Sequence, residues 1–175
     1  MTGLIVAYDK GAFGLSDSFF HQLSKLRVPD SQTPVPMIKV GRVAMTTTGM
    51  NGRTIADIVV ERTAIYKLQV FWDGKECDIA TTVRDTAIQI AAKMNARMAT
   101  FMTSMSAGAL QAAALTCRQH NVLSLGVTAL TDMDKSDCAD IFNVTTVHDA
   151  VYRMAKRAYE HVLGGIVCSG QELLE

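Results

Sequence analysis

Residues 67–103 read KLQVFWDGKECDIATTVRDTAIQIAAKMNARMATFMT, and the pattern within them decides the fold. Two short apolar runs, Lys67–Asp73 (KLQVFWD) and Met98–Thr103 (MATFMT), flank the segment Ala80–Met98, where Val83, Ala87, Ile88, Ala91 and Met94 recur at steps of three and four. Such steps gather apolar side chains on one stripe of a helix. The flanking runs are apolar at consecutive positions, as strands covered on both faces must be. Strand, helix, strand with covered faces implies parallel pairing, the helix packing outside the sheet.

The same alternation extends in both directions. Further apolar runs are Gly3–Asp9 (GLIVAYD), Met37–Gly41 (MIKVG), Val122–Leu130 (VLSLGVTAL) and Gly165–Cys168 (GIVC). Ser16 and Asp17 are placed to cap a helix carrying Phe20, Leu23 and Leu26, while Gly164 and Gly165 are expected to close a helix from His148 to Leu163. The three prolines all fall in Pro29–Pro36, a polar connection, and no linker divides the chain. The expectation is one α/β domain over residues 1–175, with about six βα units.

Composition narrows the functional classes. Of 175 residues, 49% are hydrophobic and 19% charged, and 17 basic side chains balance 17 acidic ones. A chain of this size can bury one core. Zero net charge argues against broad binding to nucleic acid or acidic membranes, which draw on a basic surplus. Cys77, Cys117, Cys138 and Cys168 form no CxxC pair and read as reduced thiols. The opening run is too short for a signal peptide or membrane helix, so a cytoplasmic location is expected.

Charge gathers at the strand ends. Asp73 and Lys75, two apart on a strand, would share a face at the carboxyl end of the third run, with Asp78 in the turn that follows. In α/β folds ligands bind at that end. A strand-end ion pair with Asp78 as a helix cap explains the spacing equally well. Lys39, at the end of the otherwise apolar MIKVG run, calls for a carboxylate partner, and Asp73 on the neighbouring strand is the natural one. Asp9 ends the first run similarly, and the shared rim favours a polar, anionic ligand.

Weaker candidates have ordinary explanations. Ser106, Ala107 and Gly108 could open a helix onto a ligand oxygen or simply form a turn. The four histidines, His21, His120, His148 and His161, lie on helices or at their ends and suit surface positions. Most of the ten methionines fall at core periods.

The residues Asp73, Lys75 and Asp78 form a D-x-K-x-x-D motif followed by DIATT, and in this the chain resembles orotidine 5'-monophosphate decarboxylases. AYD at Asp9, KVG at Lys39–Gly41, VTALTDMDKSD at Val127–Asp137 and VCS at Val167–Ser169 carry the resemblance along nearly the whole chain. The D-x-K-x-x-D motif is shared with sugar-phosphate lyases of the same suprafamily, whereas DI-x-x-T and LT-x-M-D favour the orotidine branch.

The resemblance implies a (β/α)8 TIM barrel that forms homodimers with shared active sites. It implies decarboxylation of a nucleotide, orotidine 5'-monophosphate, to uridine 5'-monophosphate without metal or cofactor. By the same resemblance, Lys75 would protonate the developing ring carbanion and Asp73 would lie against the substrate carboxylate. Lys39 would hold Asp73 and the ribose side, Asp78 would reach into the partner's site, Thr82 and Asp9 would meet the ribose, and Thr131 would lie near the pyrimidine. Glu76 is an extra acid inside the motif.

Family members continue past VCS through strands that grip the phosphate, so a chain ending at Glu175 is expected to be short at its C-terminal end. Two alternatives follow: a truncated, non-catalytic barrel that acts as a binding or assembly partner, and a sugar-phosphate lyase of the same suprafamily.

Overall fold

The structure, a computed structural model, describes residues 4–8, 16–26, 35–48 and 52–173. Its strands form a six-stranded sheet in the order β1-β2-β3-β4-β5-β6. The chain divides into two compact units, Met1–Gly74 with Gln89–Met98, and Lys75–Ile88 with Ala99–Glu175.

The first unit holds β1 (Ile5–Tyr8), α1 (Asp17–Lys25), β2 (Met37–Gly41), α2 (Val43–Thr46), α3 (Ile55–Ile65) and most of β3 (Gln69–Glu76). β1 and β2 pair parallel with Ala7 opposite Lys39, and β2 and β3 pair parallel with Lys39 opposite Phe71 and Gly41 opposite Asp73. Ile38, Val40, Val70 and Trp72 are buried on the face opposite Lys39. Ser16 caps α1 by accepting the Phe19 amide, as the sequence suggests. Phe20, fully buried, stacks on Tyr66 with ring centroids 6.2 Å apart. The Tyr66 hydroxyl donates to Asp17 at 3.1 Å, and Arg62 pairs with the same carboxylate, so α1 is fastened to α3.

The second unit contains most of α4 (Ala80–Met94), the later part of β4 (Ala96–Met102), α5 (Ala107–Gln119), β5 (Leu123–Val127), α6 (Lys135–Phe142), α7 (Val147–Glu160), β6 (Gly165–Val167) and a 3-10 turn, Gly170–Leu173. β5 and β6 pair parallel with Gly126 opposite Ile166. Phe101, Ala109, Leu110, Ala113 and Cys117 are buried in this unit. Ala129, Cys138, Ala150, Val151 and Met154 form an apolar cluster between α6 and α7, edged by Met133 and Phe142. A Cβ on Gly126 would lie 2.6 Å from Thr103 Cγ2 and 2.9 Å from Ala158 Cβ, so glycine permits the close approach of α7 to the sheet.

Several boundaries differ from expectation for local reasons. β3 continues past Asp73 to Glu76. α4 stops at Met94 rather than Met98 because Asn95 turns left-handed at φ 47°, the usual role of asparagine after a helix, and β4 then starts at Ala96. α7 ends at Glu160, with Val162 at φ 54°; Gly164 instead donates its amide to the Ser124 carbonyl at 2.8 Å and Gly165 opens β6. Sheet pairing has taken the glycines assigned to the helix end. Helix α6 lies outside the alternation of apolar runs and is announced instead by the capping box Asp134 to Asp137. Among the described residues, no helix is long and apolar enough to cross a membrane.

Candidate active site

In the first unit the site is built on two adjacent parallel strands. Lys39 stands third of the five residues of β2, in mid-strand rather than at its end as the sequence suggested. Its extended stem spans the difference: Nζ lies 2.9 Å from Asp73 Oδ2, with side-chain exposures of 25% and 12%. The register explains the reach, because Asp73 is two positions beyond Phe71, the residue opposite Lys39, and shares its face. A part-buried ammonium and carboxylate thereby compensate each other where either alone would be costly.

Arg42, which the sequence reading passed over, closes this end of the strands. Its Nε donates to the Gly74 carbonyl at 3.0 Å. A Cβ on Gly41 would lie 3.3 Å from the Asp73 carbonyl, so the backbones of β2 and β3 run close beside the acid. A basic residue directly after KVG is the signal that could have marked it.

In the second unit the backbone changes course at the lysine of the motif. Lys75 is exposed and has φ 48°, a left-handed conformation that is costly for a residue with a Cβ. Its amide donates to the hydroxyl of buried Thr100 at 2.9 Å. Glu76, the extra acid, is buried at 7% exposure. Burial still alternates along the end of β3, with Asp73 partly exposed, Gly74 buried, Lys75 exposed and Glu76 buried, as two-residue alternation along a strand requires.

Asp78 follows on the exposed turn before α4. Its Oδ1 accepts the Ile79 amide at 2.7 Å, and its own amide donates to Met105 Sδ at 3.4 Å. Thr82 is exposed in the first turn of α4, and Thr131 is exposed on the turn after β5. Asp9 lies outside the described residues. Ser106 caps α5, its hydroxyl accepting the Ala109 amide at 3.2 Å, so the SAG turn is used in helix capping. His21, His120 and His148 are exposed on helices or their ends, and His161 is half-buried at the end of α7.

Within the first unit, Lys39 and Asp73 offer a paired ammonium and carboxylate on β2 and β3. Among the described residues, no group of three or more histidine, cysteine, aspartate or glutamate side chains is arranged to hold a metal ion.

Comparison with known proteins gives this geometry its relatives. The profile of the Orotidine 5'-phosphate decarboxylase / HUMPS family matches residues 28–175. Over 137 residues, 77% of this chain and 52% of the relative, the sequence is 35% identical to the orotidine 5'-phosphate decarboxylase of Neisseria gonorrhoeae. The same share is 34% identical to the orotidine 5'-phosphate decarboxylase of Chromobacterium violaceum, again 52% of that protein. The chain spans about half the length of these relatives.

The crystal structure of orotidine 5'-phosphate decarboxylase from Lactobacillus acidophilus superposes with a TM-score of 0.73 at 23% identity, covering 98% of this chain and 73% of that one. The corresponding protein from Methanocaldococcus jannaschii gives 0.66 at 17% identity, covering 96% and 67%. At these identities the likeness is one of fold, α/β of the TIM-barrel type. Profile and sequence together place this chain in the orotidine 5'-phosphate decarboxylase / HUMPS family.

Proposed function

We propose that the protein decarboxylates orotidine 5'-monophosphate to uridine 5'-monophosphate in pyrimidine biosynthesis, without metal or organic cofactor. The observation that carries this reading is the 2.9 Å pair between Lys39 and Asp73, set in the D-x-K-x-x-D motif two residues before a lysine held at positive φ. The family relationship supports it.

In this reading the bond from the pyrimidine ring to the carboxylate breaks, its electron pair remains on the ring carbon, and carbon dioxide departs. Lys75 supplies the proton that fills the vacated position and later regains one from water. Its ammonium acts on charge that develops only as the bond breaks, so it favours the transition state over bound substrate. Asp73 lies against the substrate carboxylate and disfavours it, and Lys39 holds Asp73 in place.

Asp78 reaches into the site of a second subunit, which makes the working form a homodimer. Thr82 and Asp9 serve the ribose, and Thr131 lies near the ring. The setting is the cytoplasm. Calorimetry and ultraviolet detection of substrate loss test the reading together. The chain should bind uridine 5'-monophosphate and turn over orotidine 5'-monophosphate, and Lys75→Ala should remove turnover far more than it weakens product binding. No binding at millimolar product, or a Lys75→Ala variant that keeps most of its rate, would sink the proposal.

A further inference from the structure

Arg157, on the last turn of α7, uses its guanidinium far from its own helix. Nε donates to the Thr103 carbonyl at 3.0 Å and Nη2 to the Met105 carbonyl at 2.6 Å. Both carbonyls lie beyond the last residue of β4, where the strand has ended and α5 has not begun. A planar fork is suited to holding two such acceptors at once. The turn is also anchored from the other side, since the Thr103 amide and hydroxyl both donate to the Val127 carbonyl, at 3.1 and 2.8 Å. Gly126 leaves room for both Thr103 and Ala158, the neighbour of Arg157, since a Cβ there would lie under 3 Å from each.

The turn so fixed bears on the motif. Met105 is buried at 5% exposure, and its sulfur accepts the Asp78 amide at 3.4 Å. Asp78 is exposed on the turn between β3 and α4. A backbone amide held by a thioether is only weakly held, so its direction depends on how firmly the sulfur is placed. Arg157 grips the backbone carbonyl of the residue that carries this sulfur.

We propose that Arg157 is a positioning residue for the D-x-K-x-x-D motif, holding the Asp78 turn in its working orientation through Met105. Its link to catalysis rests on the proposed role of Asp78, whereas its link to the turn stands on the geometry alone. Such coupling also assigns a purpose to a half-buried arginine on a helix that supplies none of the motif residues.

The test is amide hydrogen exchange at Asp78 by NMR in the full chain, read beside turnover. Arg157→Ala should speed exchange at Asp78 about two- to threefold, the low end of one hydrogen bond's net worth, while amides inside β5 keep their wild-type rates. Arg157→Lys should restore part of the protection. Met105→Leu, which keeps the volume and removes the acceptor, should speed Asp78 exchange with Arg157 intact. If Arg157→Ala does not fold, the lysine and Met105→Leu variants decide the question.

Exchange at Asp78 unchanged in these variants, or a uniform rise that includes β5, would overturn the proposal. Turnover should fall in step with lost protection. A wild-type protein with no turnover would end the decarboxylase reading while leaving the exchange result to decide Arg157.

Discussion

Lys39 and Asp73 meet diagonally across two parallel strands, Nζ to Oδ2 at 2.9 Å, although Gly41 and not Lys39 is the residue opposite the acid. The offset requires an extended lysine lying along the strand, partly covered by the residues it passes. A shorter cation at position 39 could not make the contact.

Breaking this pair from one side should cost more than removing it whole. With exposures of 25% and 12%, the pair falls between a solvated surface pair and a buried one, so Lys39→Met or Asp73→Asn alone should destabilise by about 1–3 kcal/mol. The double variant should lose less than the sum, with a coupling of about 1 kcal/mol. Urea unfolding of the four proteins in the cycle measures it, and strict additivity would show that the two groups do not sense each other.

Position 75 is where stability and function should oppose each other. Lys75 has φ 48°, which glycine adopts without penalty and alanine does not. Lys75→Gly and Lys75→Ala both delete the side chain and its interactions, so their difference isolates the backbone. The glycine variant should be the more stable by about 1 kcal/mol, and both should lack turnover. Thermal unfolding of the pair provides the measurement. Equal stabilities would mean that residue 75 relaxes out of the left-handed region once the lysine is gone.

That conformation also marks the limit of what the sequence could disclose. Run patterning located β2 to the residue and the Lys39–Asp73 partnership, because an ammonium in an apolar strand has few ways to be compensated. Local rules would put a left-handed residue at Gly74, yet it falls on Lys75, whose amide is claimed by Thr100, 25 residues further along. Arg157 and Met105 were invisible for the same reason, since their hydrogen bond joins residues 52 apart. Each depends on strands and helices already assembled, and no short window contains both partners. Conversely, the expected helix ends at Met98 and Leu163 failed where an asparagine and the sheet's own pairing overruled the hydrophobic period.

The capping box of α3 should be visible in the acid limb of stability. Thr54 donates its amide and hydroxyl to Asp57 Oδ2 at 3.0 and 2.6 Å, and these bonds hold the Asp57 carboxyl below its ordinary value of 3.8, with Arg53 assisting. A depressed native pKa stabilises the fold fully above the unfolded value, and the gain is lost as pH falls through the native one. Asp57→Asn should therefore flatten the decline in melting temperature below about pH 4. Thr54→Ala should cost about 1 kcal/mol at neutral pH. An acid limb unchanged in Asp57→Asn would show that other carboxylates govern it.

Thiol chemistry offers a direct view of the motif, because Cys77 is exposed between Glu76 and Asp78 while Cys117 is buried. Burial pushes the Cys117 thiol up to about 12, leaving almost no thiolate near neutrality. The Cys138 thiol is raised too, by burial first and then by the charges of Asp137 and Asp134. With iodoacetamide at about pH 8, near the pKa of a free thiol, peptide mapping should find Cys77 alkylated first. Cys117 and Cys138 should react only on unfolding. Saturating uridine 5'-monophosphate should then slow alkylation of Cys77, since a nucleotide at the end of β3 would cover the turn that carries it. Slowing at Cys77 with no change in Cys168, which is half-buried beyond β6, would localise the nucleotide to the motif. Indifference of Cys77 to the nucleotide would separate the motif from the binding site and turn attention to the grip of Arg157 as a purely structural device.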